Sequence, residues 1–283
     1  MFNQAGQAGA LSAGFELTTS VQTDVGCVRE ANEDSGLLVR PNDSRLLDDR
    51  GVLLVVADGM GGHASGEVAS QMAVAEVSRL YYQLAGTPRG ALKGAVEEAN
   101  RLIHAASEAD PSRAGMGTTC TTLAVVGNTV YVAHVGDSRC YRLRDGRLEQ
   151  LTEDDSAVNE MVKLGIINRD EARTHEDKNV ILKALGTTPE VEAAALEPFP
   201  ARVGDLYLLC SDGLTDMVED ALIEQTLLAA ADVHAAAEQL VRMAREAGGH
   251  DNITVGLVGV VPAGTAAAEA ANAPTTREVE ALI

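Results

Sequence analysis

An α+β fold built on antiparallel sheets is what this sequence predicts, and three observations predict it. Strand-like and helix-like segments come in blocks rather than alternating singly, which argues against a doubly wound parallel sheet. Gly127-Asn128 and Asp145-Gly146 stand between strand-like runs as hairpin turns. Two successive stretches, 66–84 and 88–109, carry the three-to-four apolar spacing of amphipathic helices.

Taken in order, residues 16–26, 35–40 and 51–57 read as strands and are followed by that helical pair. Residues 118–136 and 138–151 then form two hairpin-like runs, expected to continue as one antiparallel meander. From 152 to 186 the chain is polar with only patches of helical spacing, and reads as a flap. A strand at 205–210, helices over about 219–230 and 232–246, and a last strand at 252–261 complete the pattern. With 283 residues and 46% apolar composition, one domain over 15–261 is expected. The Gly/Ala/Gln-rich residues 1–14 are expected to be flexible, and the Ala-rich tail 262–283 disordered.

The balance of 42 acidic against 22 basic side chains, a formal charge of −20, disfavours nucleic-acid binding over most of the surface. No apolar run reaches the roughly 18 residues of a membrane helix, and the opening residues lack the regions of a signal peptide. A soluble cytoplasmic protein without membrane insertion is therefore expected. Cys27, Cys120, Cys140 and Cys210 show no Cys-x-x-Cys spacing and read as small buried hydrophobes.

Candidate chemistry rests on five carboxylates at apparent strand ends or beside glycine: Asp34, Asp58, Asp137, Asp212 and Asp251. Asp58 and Asp212 each close a fully apolar run and precede a glycine, where a carboxylate has least structural reason to be. Gathered together, such groups would repel one another and suffer desolvation unless a hard divalent cation neutralised them. An all-oxygen set suits Mg²⁺ or Mn²⁺ better than zinc. Asp-Gly is also an ordinary turn dipeptide, and Asp145-Gly146 is read as only that. For Asp58 and Asp212, spacing alone leaves both readings open. The glycines after Asp58 do not end in the Gly-Lys-Ser/Thr of a nucleotide loop, and His63 alone reads more readily as a surface or packing histidine than as a catalyst.

In order, the stretches VGCVREANEDS, VADGMGGHASGEVAS, GMGTTCTTLAV, AHVGDSRCYRL, LTEDDS, NVILKALG, LLCSDGLTDMV and GGHDNITV closely resemble the successive motifs of the metal-dependent protein phosphatases, the PPM or type 2C family, in its compact bacterial form. The resemblance covers about Thr18 to Val260. It implies an α-β-β-α four-layer sandwich, two antiparallel sheets flanked by helices, with a dinuclear metal centre at one end of the sheets. By motif, Asp58 would bridge two Mn²⁺ or Mg²⁺ ions, Gly59 would ligate through its carbonyl, and Asp212 and Asp251 would ligate one ion. Glu33 and Asp34 would hold metal-bound waters, and Asp137 with Asp212 would serve a third, weaker ion. Arg29 would hold the substrate phosphate.

The implied activity is hydrolysis of phosphoserine and phosphothreonine on proteins by direct attack of a hydroxide shared between the ions, opposing a bacterial Ser/Thr kinase, in a monomeric enzyme. Two departures from the family pattern stand out. Three residues, Met60 to Gly62, separate His63 from Asp58-Gly59, so whether His63 protonates the leaving alkoxide stays open. Asp155 occupies the position in LTEDDS where family members commonly carry histidine. The competing readings are a non-catalytic phosphopeptide-binding regulator of the same fold, which should have lost metal-ligating aspartates, and a phosphatase of small phospho-metabolites.

Overall fold

The structure, a computed structural model, describes residues 14–61 and 65–265. His63 and most of the two terminal segments expected to lack order lie outside them. The described chain runs β1 (Phe15–Asp24), β2 (Asp34–Val39), α1 (Ser44–Arg50), β3 (Val52–Met60), α2 (Ser65–Gln83), α3 (Pro88–Ala109), β4 (Gly117–Thr118), β5 (Cys120–Val126) and β6 (Thr129–Val135). It continues through β7 (Arg139–Arg144), β8 (Arg147–Gln150), α4 (Ala157–Lys163), α5 (Arg169–Thr174), β9 (Ala194–Ala195), β10 (Phe199–Pro200), β11 (Leu206–Cys210), α6 (Asp212–Thr215), α7 (Asp220–Ala229), α8 (Val233–Glu246) and β12 (Ile253–Pro262).

Two antiparallel sheets result. One has the order β1-β12-β11-β7-β8, the other β10-β6-β5-β3-β2 with β4 added to β3 and β9 to β6. Three apolar layers define the sandwich. Leu53, Val55 and Ala57 of β3 face Ala69, Ala73 and Val77 of α2. Val52, Leu54 and Val56 of the same strand face Leu209, Val258 and Val260 of the opposite sheet. Beyond that sheet, Leu208, Val255 and Leu257 pack on Ile223 of α7 and Leu240 of α8. A strand sealed on both faces needs apolar residues at every position, which is why residues 52–57 show no polar alternation. The α+β four-layer sandwich is thus the observed fold.

Four details depart from the sequence reading, the last of them at Cys27. The meander is broken: β5 and β6 pair in one sheet, whereas β7 and β8 pair in the other. The chain changes sheets over Gly136–Ser138, where Gly136 takes φ +110 and a β-carbon would meet the Thr119 side chain at 2.7 Å. Only glycine accepts that conformation at that separation. Second, β3 does not stop at Asp58 but runs on to Met60, with Gly59 and Met60 paired to Thr118 and Gly117. Third, α1 was not expected; Asp43 caps it by accepting the Arg45 and Leu46 amides. Cys120, Cys140 and Cys210 are buried as predicted, but Cys27 is exposed. Among the described residues no helix is long and apolar enough to cross a membrane.

Candidate metal centre

The neighbouring ends of both sheets deliver the candidate carboxylates. Asp34 opens β2 directly opposite Asp58 in the β2–β3 pairing, so two like charges face each other across adjacent strands. The main chain of Asp58 is held on its other side by β4 and β5: its N–H donates to Thr119 Oγ1 (2.9 Å), and its carbonyl accepts the Thr119 amide and the Thr118 hydroxyl, both at 2.9 Å. From the second sheet, Ser211 follows β11 and donates its hydroxyl to Asp34 Oδ2 at 2.6 Å while accepting the Thr254 amide at 2.9 Å. Asp212 is the next residue. Asp137 lies in the sheet-changing corner and is buried.

Asp251 precedes β12, and the adjacent Asn252 ties the loop after β1 to the site. Its Oδ1 accepts the Glu33 amide (2.7 Å), and its Nδ2 donates to the Val25 and Ala31 carbonyls (3.0 and 2.9 Å). Glu33 reaches the start of α2, where its carboxylate takes the Gly66 amide, and its carbonyl accepts the Gly59 N–H at 3.1 Å. Arg29 donates from Nη2 to Asp251 Oδ2 at 2.7 Å. Asp145-Gly146 stands apart as the β7–β8 turn, with φ of 52 and 78.

The electrostatics of this cluster are unfavourable by itself. Burial first, then Asp34, Asp212, Asp137 and Asp251, push the Asp58 carboxyl well above the usual carboxylate range. Burial outweighs the Ser211 hydrogen bond to bring Asp34 up to about 7. Asp212 rises to about 6, through burial and then Asp216 and Asp251, and Asp137 rises through burial and then Asp212. Oδ1 of Asp34, of Asp137 and of Asp212 are buried without a hydrogen-bond partner. Buried carboxylate oxygens left unpaired are costly, and a hard cation is the partner that satisfies them without adding protons. Among the described residues no three of these groups close on one point as a finished coordination shell would. The donor set nonetheless fits hard divalent ions: it is all oxygen, rigidly delivered and short of positive charge.

Of the predicted residues, Asp34, Asp58, Asp137, Asp212 and Asp251 thus gather within electrostatic reach of one another. Gly59, Glu33 and Arg29 border them, and His63 lies outside the described residues. Sequence reasoning missed Ser211, which bonds the Asp34 carboxylate, and Asn252 and Thr119, which hold the main chain around Glu33 and Asp58. Ser211 and Asn252 stood in view inside the Cys-Ser-Asp-Gly and His-Asp-Asn stretches.

The family model described as Protein phosphatase 2C matches residues 41–253. The chain is 44% identical over 232 residues to the Mycobacterium tuberculosis protein named Serine/threonine protein phosphatase PstP, covering 82% of this chain and 44% of that one, so it spans less than half of that relative. It is 38% identical over 242 residues to Serine/threonine phosphatase stp of Listeria monocytogenes, covering 84% of this chain and 93% of that protein. The solved catalytic domain of PstP in complex with two manganese ions superposes with a TM-score of 0.75 at 41% identity, covering 87% of this chain and 98% of that one.

Proposed function

Because the chain belongs to the protein phosphatase 2C family, we propose that it is a metal-dependent serine/threonine protein phosphatase that works at the Asp58 cluster. The observation that carries this reading is the set of three buried carboxylate oxygens without hydrogen-bond partners, from Asp34, Asp137 and Asp212, around a fourth carboxylate whose charge they oppose. In this reading Asp58, the Gly59 carbonyl, Asp212 and Asp251 hold two Mn²⁺ or Mg²⁺ ions, Glu33 and Asp34 act through waters, and Asp137 with Asp212 serves a third, weaker ion. The substrates are phosphorylated proteins, the counterpart is a cognate Ser/Thr kinase, and the enzyme acts as a cytoplasmic monomer.

Such ions, when bound, would neutralise phosphoryl oxygens and make a water acidic enough to attack phosphorus near neutral pH. The chain's own residues do the rest. Thr118 and Thr119 fix the Asp58 main chain, Ser211 orients Asp34, and Asn252 holds the Arg29 loop against the start of β12. Arg29 stands exposed at the rim, where its guanidinium can turn two donors toward a phosphoryl group. His63 is retained as a candidate donor to the leaving alkoxide.

Phosphate release from a phosphothreonine peptide, measured with millimolar Mn²⁺ and again in EDTA, tests the activity. Turnover is expected with Mn²⁺ and only background in EDTA; no turnover with Mn²⁺ sinks the reading. For Arg29→Ala, an increase of about tenfold or more in the peptide KM is expected, the scale of a charged hydrogen bond. An unchanged KM with weakened Mn²⁺ binding would instead confine Arg29 to serving Asp251.

A further inference from the structure

The sheet-changing corner that presents Asp137 is held by a residue to which the mechanism above gives no part. Only Gly136, Asp137 and Ser138 separate β6 in one sheet from β7 in the other, so the direction of the Asp137 carboxylate depends on how this short segment is tied down. On its C-terminal side, Ser138 Oγ meets Thr119 Oγ1 at 2.7 Å and the Ser138 carbonyl accepts the Thr121 hydroxyl at 2.9 Å. On its N-terminal side the tie is Asp155. The Gly136 amide donates to Asp155 Oδ2 (3.1 Å), and the Asp155 amide donates to the Gly136 carbonyl (2.7 Å).

The other oxygen, Asp155 Oδ1, pairs with Lys183 Nζ at 3.1 Å, and the Asp155 carbonyl accepts the Leu182 amide at 2.7 Å. Asp155 therefore joins three segments: the corner, the start of the flap and its return at 182–183. Two residues farther on, Leu185 pairs with Thr118, whose hydroxyl holds the Asp58 carbonyl. Lys183 is half exposed, so the ion pair contributes little by itself. It occupies Oδ1 and leaves Oδ2 to the Gly136 amide, and a carboxylate acceptor makes a stronger bond to that amide than a neutral one does.

We propose that Asp155 is a positioning residue for Asp137, fastening the Gly136–Ser138 corner to the flap so that the Asp137 carboxylate is aimed into the metal centre. This rests on the metal-centre reading above.

The test compares Asp155→Ala, Asp155→Asn, Lys183→Met and Asp137→Asn with the wild type in three measurements: hydrogen exchange at the Gly136 amide, calorimetric Mn²⁺ titration, and kcat and KM on a phosphothreonine peptide. For Asp155→Ala, Gly136 exchange is expected to accelerate about tenfold or more, and the weakest Mn²⁺ step to weaken about tenfold, the size of one charged hydrogen bond. The accompanying fall should be in kcat, with KM within twofold. Asp155→Asn keeps an acceptor for the Gly136 amide and should restore most of the loss; Lys183→Met leaves that bond in place and should stay within twofold. A purely structural Asp155 would lower Tm in the Ala variant while leaving the Mn²⁺ titration at its wild-type values, and that result overturns the proposal, as does an Asn variant no better than Ala. If Asp137→Asn weakens Mn²⁺ binding but Asp155→Ala does not, the positioning role alone fails. If Asp137→Asn leaves the titration unchanged, Asp137 leaves the metal set and the positioning proposal falls with it, while a wild type that takes up no Mn²⁺ overturns the metal-centre reading itself.

Discussion

Asp58→Asn is expected to lower turnover of a phosphothreonine peptide about a thousandfold or more while raising the melting temperature of the metal-free protein. The two effects share one cause. Asn keeps the volume of Asp, and the bonds from Thr118 and Thr119 go to the Asp58 main chain, so the β3 pairing survives the change. What disappears is a charge held beside Asp34, Asp212, Asp137 and Asp251. Without a cation that charge is a liability, because an uncompensated carboxylate among like charges costs stability. Asp58 keeps some solvent access, so its relief is put at about 1–2 kcal/mol, or about 3–6 °C for a domain of this size. In the proposed reading the same charge would be the central ligand once Mn²⁺ binds, and losing a preorganised charge partner at a reacting centre costs on the order of 10²–10³ in rate, more if that partner serves two ions. Thermal unfolding with and without Mn²⁺, beside phosphate release, reads both arms. Wild-type turnover, or a metal-free melting temperature below wild type, would remove Asp58 from the centre of the site.

How much of this was legible in the sequence depends on where each signal resides. The aspartates were legible because Asp58 and Asp212 stand beside apolar runs, and the structure shows why those runs are unbroken: β3 is covered by α2 on one face and by the opposite sheet on the other. The change of sheets between β6 and β7 was not legible. Each hairpin announces itself through its own turn, but partnership between hairpins is set by long-range packing, and a single Gly136 is the only local trace of the crossing. Helix α1 escaped because its two leucines serve different layers, Leu46 packing toward α2 and Leu47 between the sheets, so one short helix carries no single apolar face. Ser211 and Asn252 escaped for another reason. Their hydrogen bonds reach partners 177 and 219 residues away, and no spacing in the chain can announce contacts of that range.

Gly59→Ala is expected to damage both the fold and the activity, for a reason separate from the carbonyl ligation that the family resemblance implies. A β-carbon at Gly59 would stand 2.1 Å from the Gly66 carbonyl oxygen and 2.5 Å from the Glu33 carbonyl oxygen. Both obstacles are main chain, so no side-chain rotation can clear the space. Accommodating one methyl group would require the first turn of α2 to back away from β3, or β2 to move with Glu33, which sits against Gly66 in turn. The φ of Gly59 is not in the left-handed region, so the cost is packing against backbone rather than torsional strain. Overpacking of this kind costs about 1–3 kcal/mol where side chains can yield, and a rigid cradle places Gly59→Ala at about 3–4 kcal/mol, a fall of about 10 °C. Turnover should fall at least about a hundredfold, since Asp58 and Glu33 move with the strands that carry them. Melting curves in EDTA separate the two roles. A metal-free melting temperature equal to wild type, with turnover lost, would assign Gly59 to ligation alone and remove the steric cradle; a lowered one makes the glycine a requirement of how closely α2 must approach the strand that carries Asp58.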